Sequence, residues 1–196
     1  GSSYPAVRDK DVFSQPIPLP PLPEQHRIVS KIEELFSELD KGIESLKTAQ
    51  QQLKVYRQAV LKWGFEGRLT HEENEISIVS FGLIIKVVSG NTPKGLEYVS
   101  NKGEIQFYKV SDMNLEGNEV EMRTTKLHLT KSEIEKLKIK LYPKGTVIFP
   151  KRGGAILTNK KRILASESSF DLNLMGALPN EKVDGKYLFY CFKNLT

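Results

Sequence analysis

Between Glu24 and Trp63 the chain has no proline, and apolar residues recur at a three–four spacing: Ile28, Ile32, Leu35, Leu39, Leu46, Ala49, Leu53, Tyr56, Val60 and Trp63. Only Gly42 breaks the run, and Ile43 sits beside it. Such a period, sustained over five repeats, calls for one continuous helix with a single apolar stripe. At 1.5 Å per residue the stretch would form a rod of roughly 60 Å. Little sequence is left over to cover a rod of that length. The stripe therefore points to a coiled coil rather than to a helix packed on its own domain, with Ile28, Ile32, Leu35, Leu39, Leu46, Leu53, Tyr56 and Val60 as its interface. Gly64, Gly67 and Thr70 supply the stop, and the polar "HEENE" at 71–75 reads as a linker.

The approach to this helix is stiff. Pro16, Pro18, Pro20, Pro21 and Pro23 each fix φ and hold their predecessors extended. Ile17, Leu19 and Leu22 lie between them as apolar contacts, in an extended or polyproline II-like segment. Pro23 falls just before the helix or at its first position, where a missing N–H costs nothing, and Glu24 suits the helix dipole. A proline-rich ligand for an SH3-like domain is the competing reading of this stretch, but the intervening residues are apolar enough to be packed. Gly1-Ser2-Ser3 reads as an expression remnant and carries no weight in the fold.

From Ile76 the period changes to short β-rich runs: "ISIVSFGLIIKVVSG", "IQFYKVSDM", "TVIFPKRGG" and "RILASESSF". Turn residues separate them, as at Asn91-Thr92-Pro93, Glu116-Gly117-Asn118 and Pro143-Lys144-Gly145. "TKSEIEKLKIK" (130–140) predicts a short helix capped by Thr130 or Ser132, and "KYLFYCFKNL" a final apolar-aromatic helix after a loop. The expected class is α+β: an N-terminal segment (1–23), a long helix (24–70) and a mixed, mostly β domain (76–196).

Charge divides along the same boundary. Residues 76–196 hold 19 Lys/Arg against 12 Asp/Glu, and residues 1–75 hold 10 against 12. The basic excess thus belongs to the β-rich half, where a polyanion is the natural partner and a solvated lysine-rich surface the plain alternative. The single Cys191 cannot form an internal disulfide, which fits a reducing cytosol, and so a cytoplasmic protein. His26, His71 and His128 are far apart and lack Cys companions, which argues against a zinc site. No apolar run approaches the length of a membrane span.

Catalytic signatures are missing. Asp184-Gly185-Lys186 matches the short half of an Asp…Asp/Glu-x-Lys nuclease pattern, but it reads as a turn. No Gly-rich turn after a first strand suggests a nucleotide-binding α/β domain, and "KRGGA" (151–155) lacks the ending of a phosphate loop. The residues instead suit nucleic-acid contact without a cofactor. Lys151, Arg152, Lys160, Lys161 and Arg162 flank a glycine-containing loop. Ser89, Asn91, Thr92 and Lys94, then Lys109, Ser111 and Asn114, place small polar side chains and lysines at other turns. Flexible backbone with cations allows approach to phosphates and base edges, although each such residue alone is also ordinary turn chemistry.

The stretch from "IPLPPLPEQHRIVSKIEELF" to "GRLT" closely resembles the conserved helical region of the DNA-specificity (S) subunits of type I restriction–modification enzymes. "VSGNTPKG" (88–95), "IQFYKVSDMN" (105–114), "KGTVIFPKRGG" (144–154), "LNLMGALPN" (172–180) and "YLFYCF" (187–192) resemble pieces of that family's target-recognition domain. The resemblance, with "YPAVRDKDVF" (4–13), covers nearly the whole chain. It implies a non-catalytic subunit that binds double-stranded DNA and scaffolds the methylation and restriction subunits. In that family two recognition domains each read half of a split site, and two antiparallel helices set the gap.

This chain departs from the pattern in holding one helix and one recognition domain. The segment resembling the end of a recognition domain stands before the helix, and the beginning of another follows it. With a straight helix of roughly 60 Å between them, the two fit together most simply in an antiparallel homodimer that exchanges N-terminal segments. The competing expectation from another class is a coiled-coil adaptor whose basic domain never reads DNA.

Overall fold

The computed structural model describes residues 7–70 and 77–195. His71, the 71–75 linker, Ile76 and the first part of "YPAVRDKDVF" lie outside the described residues. Cα packing divides the chain into two compact units, Gly1–Tyr56 and Arg57–Thr196.

In the first unit a short helix, α1 (Asp9–Phe13), precedes the prolines. The sequence pattern gives no sign of a helix there. Arg8 N donates to Asp11 Oδ2 at 3.1 Å and starts the turn. The long helix α2 runs Leu22–Phe65 without a break, 44 residues, or roughly 66 Å by its rise. It begins two positions before the expected 24 and ends at Phe65 rather than 70, so Pro23 sits inside the first turn. The Pro21 carbonyl accepts from Glu24 N (2.8 Å) and Gln25 N (3.1 Å), and the Gln25 amide reaches back to the Pro20 carbonyl at 2.7 Å. These bonds tie the extended prolines to the first turn. Gly42 does not interrupt the helix.

The second unit takes up the last turns of α2. Gly67, at φ 73°, provides the left-handed residue that stops the helix. Arg68 N bonds to Trp63 O and Gly67 N to Gly64 O, a Schellman closure. Gly64 therefore lies inside the helix and Gly67 ends it.

Among its described residues, the rest of this unit holds eight strands, β1 (Ile85–Ser89), β2 (Ile105–Tyr108), β3 (Glu121–Met122), β4 (His128–Leu129), β5 (Val147–Pro150), β6 (Arg162–Leu164), β7 (Ser169–Phe170) and β8 (Leu174–Pro179), and two α-helices, α3 (Lys131–Lys136) and α4 (Gly185–Asn194). One sheet has the order β1-β8-β5-β6-β3, the other β4-β2-β7. β8 is antiparallel to both β1 and β5, while β2 is parallel to β7.

Strand alternation separates the cores. Val147, Ile163 and Ala177 face α4 with Leu188 and Phe189. Their neighbours Ile148 and Leu164 turn the other way, into a core with Tyr108, Met113, Met122, Phe170 and Leu174. A third cluster joins Phe107, Leu129, Ile134 and Ile139 around α3. Thr130 caps α3, as expected, by accepting from Glu133 N, and Glu133 returns the bond to Thr130 N. Asp184, the residue of the nuclease-like triplet, caps α4: its Oδ1 accepts from Lys186 N and Tyr187 N, both at 2.9 Å. That position explains the Asp-Gly-Lys sequence by helix initiation.

Candidate nucleic-acid interface

Strand directions decide where the cation-bearing loops lie. Because β1 and β5 both run antiparallel to β8, their C-terminal ends meet its N-terminal end: Ser89 pairs with Met175 and Pro150 with Leu174. Because β2 runs parallel to β7, Tyr108 pairs with Phe170, beside the turn 171–173 that leads into β8. The loops that follow β1, β2 and β5 thus gather at one rim around that turn.

Hydrogen bonds fix each loop to the turn. Asn91 N donates to Phe170 O (3.1 Å), and Leu172 N donates to Thr92 Oγ1 (3.2 Å). Asp171 N donates to Tyr108 O, and Lys151 N to Asn173 O, both at 2.9 Å. Lys160 Nζ donates to Asn114 Oδ1, joining the loop after β5 to the loop after β2. Gly90 permits the close passage: a Cβ there would stand 2.0 Å from Asp171 O.

The rim therefore brings together ten of the twelve residues singled out from sequence. Ser89, Asn91, Thr92, Lys94, Lys109, Ser111, Asn114 and Arg152 are exposed, and Lys151 and Lys160 half-buried. In segments 89–94, 109–114, 151–160 and 171–173 the only carboxylates are Asp112 and Asp171, and both are buried. Asp112 accepts from Lys109 N (2.8 Å) and Thr125 Oγ1 (3.0 Å). Asp171 accepts from Asn173 N and its side-chain amide. The solvent side of the rim is left cationic.

Lys161 and Arg162 require a correction. Their sequence places them on a loop flank, whereas Arg162 opens β6 and both are buried. Arg162 donates to Lys161 O (2.8 Å) and Met113 O (3.0 Å), holding the β2 loop against β6 from inside. Lys161 Nζ donates to Asn159 Oδ1. Burial lowers the pKa of both, and the neighbouring Lys193 adds to the effect at Lys161 while Glu119 opposes it at Arg162. Both cations serve the architecture of the rim.

Sequence reasoning also missed residues. Asp171 and Asn173 form the turn on which the loops converge. "KRGGAILTNK" continues into a 3-10 turn, Gly153–Thr158, which leaves Ile156 52% and Leu157 89% exposed between Lys151-Arg152 and Lys160. Two large apolar side chains within a basic loop were the available signal.

On α2 the stripe residues Ile28, Ile32, Leu35, Leu39, Leu46, Leu53 and Tyr56 are all exposed, from 43% at Ile28 to 72% at Leu46, and Val60 is half-buried. Val12, Phe13, Ile17 and Leu19 in the N-terminal segment are at least 60% exposed. No helix among the described residues is long and apolar enough to cross a membrane, and no cluster of potential metal ligands occurs among them.

Comparison with known proteins bears on the N-terminal region and on the fold. The type I restriction modification DNA specificity domain matches residues 1–54. The type I restriction enzyme EcoDI specificity subunit of Escherichia coli is 38% identical over 66 residues, covering 34% of this chain and 15% of that protein. The EcoBI specificity subunit of the same species is 42% identical over 59 residues, 30% of this chain and 12% of that protein. Among solved structures, a chain from a study of assembly and conformational transition in the type I R-M system aligns with all of this chain and 47% of its own length, at TM-score 0.62 and 21% identity. The HsdS subunit from Thermoanaerobacter tengcongensis aligns likewise over all of this chain and 46% of its own, at TM-score 0.59 and 22% identity. This chain thus spans about half the length of these solved relatives. Residues 1–54 thus match the type I restriction modification DNA specificity domain, and the whole chain shares the fold of these solved structures.

Proposed function

We propose that the chain is a sequence-specific DNA-binding part of a type I restriction–modification specificity subunit, and that the rim reads one half-site. The observation that carries this reading is the convergence of three cation-bearing loops on the 171–173 turn, with no exposed carboxylate in their segments 89–94, 109–114 and 151–160. Lys94, Lys109, Lys151 and Lys160 meet phosphates. Arg152 has the fork geometry for guanine, Asn91 suits adenine, and Ile156 and Leu157 suit a thymine methyl group. The subunit itself carries out no catalysis and acts in the cytoplasm. It positions methylation and restriction subunits, and α2 fixes the spacing between half-sites.

The helix works in pairs. Its exposed stripe is covered by the same stripe of a second chain, antiparallel, so that the N-terminal segment of each completes the recognition domain of the other. The exposed apolar residues of both the stripe and the segment support this arrangement.

A salt titration tests the DNA reading. Lys151→Ala with Arg152→Ala leaves the fold intact and flattens the dependence of log affinity on log salt by about 0.9 for each phosphate that is no longer neutralised. Unchanged affinity and slope in this variant would remove the rim from the interface.

A further inference from the structure

We propose that a cleft beside β1 is a phosphodiester-binding track that carries the DNA contact beyond the rim, along the backbone flanking the half-site. The inference rests on the DNA-binding reading above and assigns residues that reading does not use.

The cleft holds about 650 Å³ and is lined by Lys86 of β1, Lys138 and Lys140 after α3, Ser89, Asn91 and Tyr142. No carboxylate lines it. Ser89 and Asn91 belong also to the rim, so the two surfaces are continuous. Tyr142 fixes one wall: its hydroxyl donates to Ser89 O at 3.1 Å, and its backbone pairs with Ser168. Ile139 is buried in the α3 core, whereas Lys138 and Lys140 on either side of it are exposed.

Lys138 supplies the strongest indication. It stands at φ 51°, in the left-handed region. It follows the C-cap Leu137 in a Schellman closure, with Lys138 N bonded to Glu135 O and Ile139 N to Ile134 O. Glycine, and next asparagine, fit this position best, because a Cβ there is strained. A lysine in this left-handed position, which favours glycine, breaks a local rule, and such breaks gather at functional sites. Three lysines around one open concavity, with no acid to neutralise them, suit the regularly spaced charges of a nucleic-acid backbone.

The test exploits opposite signs. Lys138→Gly in the full chain relieves the strained conformation, so its Tm is no lower than wild type. Its affinity for duplex DNA carrying the motif that the wild-type chain selects from random sequence falls about three- to tenfold near physiological salt, and its salt slope flattens by about one. Lys86→Gln with Lys140→Gln flattens the slope by about two, and the selected sequence stays the same because phosphate contacts carry no sequence information. Wild-type affinity and slope in all the cleft variants, while Lys151→Ala with Arg152→Ala weakens binding, would overturn the track alone. A wild-type chain that binds no DNA would overturn both the track and the reading beneath it.

Discussion

Asn118 ties the β2 loop to the domain, and its replacement gives a calculable loss. The side chain is fully buried. Its amide nitrogen donates to Asp112 O and Thr124 O, both at 2.8 Å. Its oxygen accepts from Arg123 N at 2.8 Å and Thr124 N at 3.1 Å. Asn118→Ala removes these four bonds at once, and with them the longer one from Thr124 Oγ1 at 3.4 Å. At a net ~0.5–1.5 kcal/mol each, with the partners of exposed Arg123 and Thr124 partly restored by water, the loss is about 3 kcal/mol. In urea, at a slope of ~2 kcal/mol/M, the unfolding midpoint falls by about 1.5 M. Asn118→Asp offers a control of nearly equal shape: it keeps the acceptor but sets a carboxylate oxygen against two carbonyls, so it also destabilises the domain. Asp112 lies between Lys109 and Asn114, so DNA binding weakens with stability. A midpoint shift below about 0.3 M for Asn118→Ala would show that the network contributes little and refute the reasoning.

Further substitutions test other parts of the account. Gly90→Ala places a Cβ 2.0 Å from Asp171 O; it should displace the β1 loop and lower Tm by several degrees, and an unchanged Tm would contradict the close approach. Asp184→Ala removes the cap of α4 and should cost about 1 kcal/mol in chemical denaturation, whereas loss of a Mg²⁺-dependent DNA cleavage activity on this change would revive the nuclease reading. Glu133 is held at a pKa of about 2 by hydrogen bonds first from Ser100 N and then from Thr130 N. Its folded pKa lies below the ordinary 4.5, so its stabilisation is fully present above pH 4.5 and disappears as pH falls through 2. An NMR titration should follow the Glu133 carboxyl to that low midpoint, and a midpoint near 4.5 would contradict the bonds to Ser100 and Thr130.

What was legible in the sequence depended on the range of the interactions involved. The long helix and the Thr130 cap follow from local spacing and capping chemistry, and both stand in the structure. Gly67 was recognisable as a stop, but choosing it over Gly64 depends on which glycine takes the left-handed conformation. β3, β4 and β7 have two residues each, too few to establish an alternating period. Within β8, Gly176 hides the strand pattern, since it lies under the Phe170 ring, 2.8 Å from where its Cβ would be. The cation-bearing loops could be named from turn chemistry. Their convergence could not, because it arises from β1 and β5 pairing with a strand far along the chain. Lys161 and Arg162 misled for the same reason: "KKR" reads as surface until β6 is known to begin there.

The central claim is that the rim reads a short DNA sequence and that α2 sets the distance between two such readings. Selection of bound duplexes from random DNA by the full chain, with the methylation subunit present, tests it most directly. The account predicts a motif of a few base pairs, repeated in inverted orientation across a fixed gap. A four-residue helical insertion after Gln52 lengthens the rod by ~6 Å and should widen that gap by one or two base pairs at ~3.4 Å each. Enrichment of no motif, or a gap that ignores the insertion, would contradict it.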